Sequence, residues 1–158
     1  MVDEYIENWL KKAENDLRIV DHELKLSEDE TVKDLACFHC QQAVEKYLKA
    51  FLIFNEVEFP RTHNIEYLLE QSAKIDTDFS GIDIDELSDF GVNIRYPDDF
   101  YVPEIDEVRF YYNLANRIKF LVLEKIKPGK EATGDQEGNG NMDEEPGSSV
   151  DDKDKPEI

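Results

Sequence analysis

The sequence predicts an all-α protein: an up-and-down bundle of four to five helices followed by a disordered acidic tail. Three observations predict it. Apolar residues recur at steps of three and four over most of the first 127 positions, no stretch alternates apolar and polar in the manner of a strand, and the composition changes abruptly near "IKPGK". A chain of 158 residues suits one ordinary domain, and 40% hydrophobic with 11% aromatic residues suffices for a core.

The elements follow in order. Ile6, Trp9, Ala13, Leu17, Val20 and Leu24 fall on one helical face, with Lys11, Lys12, Glu14 and Asp16 off that stripe. "LSEDE" is the break, and Ser27 with Glu30 three residues later has the pattern of a capping box for the second helix. That helix runs to about Asn55. Its apolar residues (Leu35, Ala36, Ala43, Val44, Tyr47, Leu48, Phe51, Leu52) spread widely around the axis, which predicts the most buried element. "FPRTHN" stops and restarts the chain, with Thr62 a candidate cap for a short helix from Asn64 to about Ala73. After a loop rich in Asp and Gly, Asp83 to Ile94 reads as another short helix, with Leu87, Phe90 and Ile94 on one side. Pro103 suits the first turn of the last helix, which carries Ile105, Val108, Tyr112, Ala115, Ile118 and Val122 at helical spacing. The exposed fraction is high at this size, and a leftover apolar face would favour a dimer.

Residues 1–127 form the expected domain and residues 128–158 the tail. The tail has no aromatic residue and a net charge of −7, so −13 of the total −20 belongs to the bundle. With almost nothing to bury, the tail cannot offset an ordering cost of ~1–2 kcal/mol per residue. It reads as a solubilising extension or as a shield over a basic cleft. The net charge of −20 repels polyanions from the molecule as a whole, so any anion site must be a local cleft. The N-terminus has no signal-peptide pattern and no apolar run approaches membrane-spanning length, so a cytoplasmic setting without membrane contact is expected.

Cys37 and Cys40 share one face of the second helix while His39 lies on another. A zinc site commonly uses two separated ligand pairs, and a redox pair sits at a helix N-terminus beside a strand. Neither pattern is present, so both cysteines read as small core residues, and no metal or cofactor is expected. Gln42, Glu45, Lys46 and Lys49 form a polar stripe along the same helix. It reads either as a solvated face with Glu–Lys pairing, worth ~0.2–0.5 kcal/mol per pair, or as one wall of an anion site.

Four segments in order carry a family resemblance: "WLKKAENDLR", "ACFHCQQAVEKYLKAFLI", "FPRTHNIEYLL" and "IRYPDDF". Together they resemble the HEPN domain, the higher-eukaryote and prokaryote nucleotide-binding family, over nearly all of residues 1–127. The resemblance implies a compact helical bundle that pairs with itself. Many members are encoded beside a small nucleotidyltransferase and form a toxin-antitoxin-like pair with it. Several branches are metal-independent ribonucleases. Those use an arginine followed four to six residues later by a histidine, at the start of the last long helix, in a cleft composed by two subunits.

Arg95 stands at the corresponding place, but Tyr96, Pro97, Asp98, Asp99, Phe100 and Tyr101 follow it and none is histidine. Cleavage of RNA without metal needs one group to take the 2′-hydroxyl proton and another to stabilise phosphate charge. Arg95 can do the second. Tyr101 (~10 unperturbed) and Asp98 (~4) are poorly matched to the first near neutral pH. His63 can act as a base from another loop or can brace a turn. Arg95 and Tyr96 can pair with a phosphate and stack on a base, or can anchor their loop to Asp98 and Asp99. Asp98 and Asp99 could hold magnesium, though adjacent loop acids are usually solvated. The favoured expectation is a homodimeric module binding nucleotide or nucleic acid through Arg95, Tyr96, Lys46, Lys49 and Gln42, beside a nucleotidyltransferase partner. The alternatives are a ribonuclease with catalytic Arg95 and His63, and a purely structural dimeric scaffold.

Overall fold

The structure, a computed structural model, describes residues 2–91 and 101–126. Arg95, Tyr96, Asp98, Asp99 and the whole of the expected tail lie outside the described residues. Helix α1 spans Glu4–Leu24. Asp3 caps it by accepting the Ile6 amide at 3.0 Å, and Glu4 and Glu7 lie in the first turn, where the helix dipole favours negative charge. It buries Ile6, Ala13, Leu17 and Val20 from the expected stripe.

Helix α2 spans Lys33–Phe54, and its start departs from the expected capping box. Ser27 and Glu30 bond each other's side chains at 3.1 Å within the preceding turn. The helix is capped at Val32, which has no side-chain acceptor. Glu23 reaches across from the end of α1 instead and accepts the Val32 amide at 2.8 Å. Thr31 closes the turn by donating its hydroxyl to the carbonyls of Glu23 and Ser27. Once inside the bundle, α2 is buried almost all round, from Ala36 to Phe54, while Leu35 is left exposed near its first turn. The C-terminus closes with Glu56 in the left-handed region (φ 60°) and the Val57 amide bonded back to the Leu52 carbonyl at 2.9 Å. This turn sends residues 57–61 back past the start of α1.

Helix α3 spans Ile65–Ile75. Its cap is Asn64, which accepts the Tyr67 amide at 2.9 Å, whereas Thr62 accepts the Asn64 amide one step earlier. The Asp- and Gly-rich loop then contains a 3₁₀ turn, Thr77–Phe79. The expected helix over Asp83 to Ile94 is shorter among the described residues: a 3₁₀ helix, Leu87–Gly91. Asp85 in the left-handed region (φ 54°), with its amide on the Asp83 carboxylate at 2.9 Å, prevents an earlier start. Helix α4 spans Ile105–Lys125 and is capped at Glu104, so Pro103 precedes the helix and is not in its first turn.

The long helices are held in register by polar pairs at complementary heights. Tyr47 on α2 bonds Glu14 on α1 at 3.1 Å, while Thr31, just before α2, bonds Glu23 near the end of α1; the two helices are therefore antiparallel. Lys119–Glu14 and Tyr112–Asp21 set α4 antiparallel to α1 in the same way. Helix α2 occupies the centre, with α1, α3 and α4 packed on it. This is a helical bundle, with no strand among the described residues.

Cys37 and Cys40 are free thiols with no exposed surface. Burial pushes the Cys37 thiol up to about 12, with the charges of Glu107 and Asp34 adding to it, and burial pushes Cys40 well above its ordinary value. Above about pH 9 the unfolded chain releases these protons while the folded chain keeps them, so stability falls as pH rises. Each buried thiol adds to that fall, which steepens as the unfolded thiols lose their protons. Urea denaturation between pH 8 and 10.5 should show this fall, and Cys37→Ala should make it shallower. Equal slopes in the two proteins would contradict the buried thiol.

Candidate functional site

The polar residues of α2 fall on two carboxylates. The first is Glu45, itself only 5% exposed. Lys49, one turn along the helix, donates to its Oε2 at 2.8 Å. His63, from the loop before α3, places Nδ1 at 3.1 Å from both Glu45 oxygens. Gln41, one turn earlier and fully buried, donates Nε2 to Oε1 at 3.2 Å and to the His63 carbonyl at 3.4 Å. Its own Oε1 accepts from Gln42 at 2.7 Å. Spacing of four residues along α2 produces this ladder, because Gln41, Glu45 and Lys49 lie one above another on a single helical face. Where the ladder meets the 3₁₀ helix, the Gly91 backbone is pressed onto the Gln41 amide: a β-carbon on Gly91 would come within 2.6–2.8 Å of it.

The second carboxylate is Asp16 of α1, also buried. It takes Lys46 Nζ at 2.6 Å on one oxygen and His39 Nδ1 at 2.8 Å on the other. Both lysines of the expected stripe are thus neutralised by an adjacent acid within the subunit. Among the described residues no hydrogen bond uses their remaining donors.

Gln42, Lys49 and His63 therefore share one network through Gln41 and Glu45, while Lys46 belongs to a separate one. The chain enters the segment holding Arg95 and Tyr96 from Gly91, the residue set against that network. The His63–Glu45 pair has a definite chemical capacity. A carboxylate only accepts, so Nδ1–H donates to it, and in the neutral ring Nε2 keeps its lone pair. The His63 side chain is 66% exposed, which leaves that nitrogen accessible to an incoming proton donor. Tyr101 has moved the other way. Its hydroxyl donates to Glu107 at 2.7 Å, and that bond pushes it up to about 12, further from base chemistry at neutral pH.

Beyond Lys49 the ladder opens into a groove of about 880 Å³ between the start of α1 and the returning loop. Trp9, Tyr5 and Phe59 line it, with Arg61, Glu56 and Glu58 around it. Lys49 Nζ lies 5.8 Å from the Trp9 ring centre and 5.9 Å from that of Phe59. Neither this groove nor the roles of Gln41 and Asp16 emerged from the sequence. One sign of the role of Asp16 lies on α2: a cation such as Lys46 on the most buried helix calls for an acceptor on a neighbouring element. Among the described residues no group of three or more His, Cys, Asp or Glu is arranged to hold a metal ion. No helix there is long and apolar enough to cross a membrane.

The fold and this polar central helix define a helical-bundle domain, and comparison gives its class. Residues 6–126 match the model of the HEPN domain, and the chain belongs to that family. It is also similar to the crystal structure of an archaeal HEPN homologue, with 30% identity and a TM-score of 0.56 over 77% of this chain and 98% of that one. No curated protein matches the chain.

Proposed function

We propose that the chain is a nucleotide- or nucleic-acid-binding module, working as a homodimer beside a small nucleotidyltransferase in a toxin-antitoxin-like pair. Arg95 and Tyr96 supply phosphate and base contacts, and Gln42, Lys46 and Lys49 add hydrogen-bond donors to the nucleotide site. One observation carries this reading: Gln42, Lys49 and His63 converge through Gln41 on Glu45, and Gly91, four residues before Arg95, is set against that same network. Lysines already paired with acids suit a site that recognises a nucleotide by hydrogen bonds and shape more than by net charge.

Calorimetric titration with AMP, with and without the candidate nucleotidyltransferase, tests it. Arg95→Ala should weaken binding about tenfold or more, the loss expected of one charge-assisted bond. Light scattering should give the mass of a dimer. No heat under either condition and no co-purifying partner would remove the proposal. Charge reversal at Lys46 and Arg95 without any effect on binding would leave only a scaffold.

The Glu45–His63 pair favours a second reading, a ribonuclease in which His63 Nε2 takes the 2′-hydroxyl proton and Arg95 stabilises the phosphate. His63→Ala and Arg95→Ala should then each abolish cleavage of single-stranded RNA. Cleavage persisting in both variants, or none by the parent, counts against it.

A further inference from the structure

We propose that the groove beside Lys49 holds a nucleobase, stacked on the faces of Trp9 and Phe59 with a ring acceptor on the Lys49 ammonium. The proposal rests on the nucleotide-binding reading above and assigns which part of the ligand enters this groove. Its volume of about 880 Å³ lies in the range of small-molecule sites. Tyr5 meets Trp9 edge to face at 6.4 Å and 89°, which fixes the orientation of the larger ring.

The floor points to a base. Lys49 is only 8% exposed and carries three N–H donors, of which one is used on Glu45. The other two find no hydrogen-bond acceptor among the described residues; aromatic faces lie near them instead. A carbonyl or ring nitrogen entering the groove would satisfy them. A phosphate beside Lys49 is disfavoured, because Glu45 already neutralises Lys49 and the acidic residues Glu56 and Glu58 are part of the groove's lining. A neutral planar heterocycle meets no such repulsion. Arg61, also at the groove, is exposed and can add a second cation at the phosphate of the same nucleotide, beside the Arg95 of the reading above.

Trp9 is the single tryptophan of the chain, so its emission reports on this groove alone. The intact protein is titrated with AMP, UMP and ribose 5-phosphate, exciting to the red of nucleotide absorption, with calorimetry in parallel. Saturable quenching by a nucleotide and none by ribose 5-phosphate is expected. Phe59→Ala should weaken the nucleotide fivefold or more, the low end of what base stacking contributes. Phe59 is half-buried in a loop, and a melting curve shows whether the variant is folded. Equal quenching by ribose 5-phosphate would overturn the proposal, as would heat of nucleotide binding with unchanged Trp9 emission; in the second case the nucleotide-binding reading survives. No heat and no quenching removes both.

Discussion

Glu45→Ala is expected to cost about 3–5 kcal/mol of stability, a large share of the ~5–15 kcal/mol that holds a domain of this size. The loss does not come from the ion pair's own attraction, which is largely offset by removing two charges from water. It comes from the ammonium left behind. Lys49 retains 8% of its exposure and has no carboxylate other than Glu45 as a partner among the described residues. Among the described residues, Gln41 loses one of its two acceptors at the same time, and His63 loses its side-chain hydrogen-bond partner. Two comparisons isolate the cause. Glu45→Ala combined with Lys49→Met should recover most of the loss, because no orphaned charge remains. Asp16→Ala should cost less, about 1–3 kcal/mol, since its partners His39 and Lys46 keep side-chain exposures of 24% and 21% and can reach water. Urea denaturation of the three variants beside the parent protein measures all of this. A cost below 1 kcal/mol for Glu45→Ala would mean that Lys49 reaches water through the aromatic groove.

Why the sequence revealed the bundle so readily and the polar network only partly follows from the range of the interactions involved. Helices announce themselves locally: the stripe from Ile6 to Val20 and the apolar surround of Ala43 to Leu52 are set by spacing within one element, and both are buried as the spacing requires. The helix starts depend on longer contacts. The amide of Val32 is taken by Glu23, nine residues back, so a capping box inside the turn was a reasonable local expectation that a tertiary partner displaced. The same holds for the site. Glu45 and Lys49 are legible as an i, i+4 pair, but their burial is decided by α1, α3 and the loop carrying Phe59. Asp16 gives no local sign of its role, because nothing in α1 indicates that Lys46 and His39 of another helix will need it. Arg95, the residue that the family resemblance matched to the ribonuclease arginine, and its neighbour Tyr96 lie outside the described residues.

Phe79 is the residue whose importance the sequence concealed most, and Phe79→Ala should cost about 3–5 kcal/mol. It sits among "IDTDFSGID", a stretch whose composition reads as solvated loop. In the structure its ring is 1% exposed and lies 4.7 Å from that of Phe51 on the central helix, tilted by 42°. Two devices could hold it there. One is apolar burial. The other is a clasp of charge: Asp76 caps the 3₁₀ turn by accepting the Asp78 amide, and Lys125 at the end of α4 reaches Asp76 at 2.9 Å and Asp78 at 2.8 Å. Magnitudes separate them. Removing a large ring from a packed core forfeits its transfer energy and leaves a cavity, whereas ion pairs near the surface contribute ~0–1 kcal/mol. Phe79→Ala should therefore destabilise several-fold more than Lys125→Ala, read from denaturation midpoints of the two variants side by side. The reverse order would mean that the clasp positions the turn and that the ring merely occupies the space it is given. The expected order instead makes this aromatic side chain the anchor by which the segment after α3 is fixed to α2, and so an indirect support for the chain that continues through Gly91 toward Arg95.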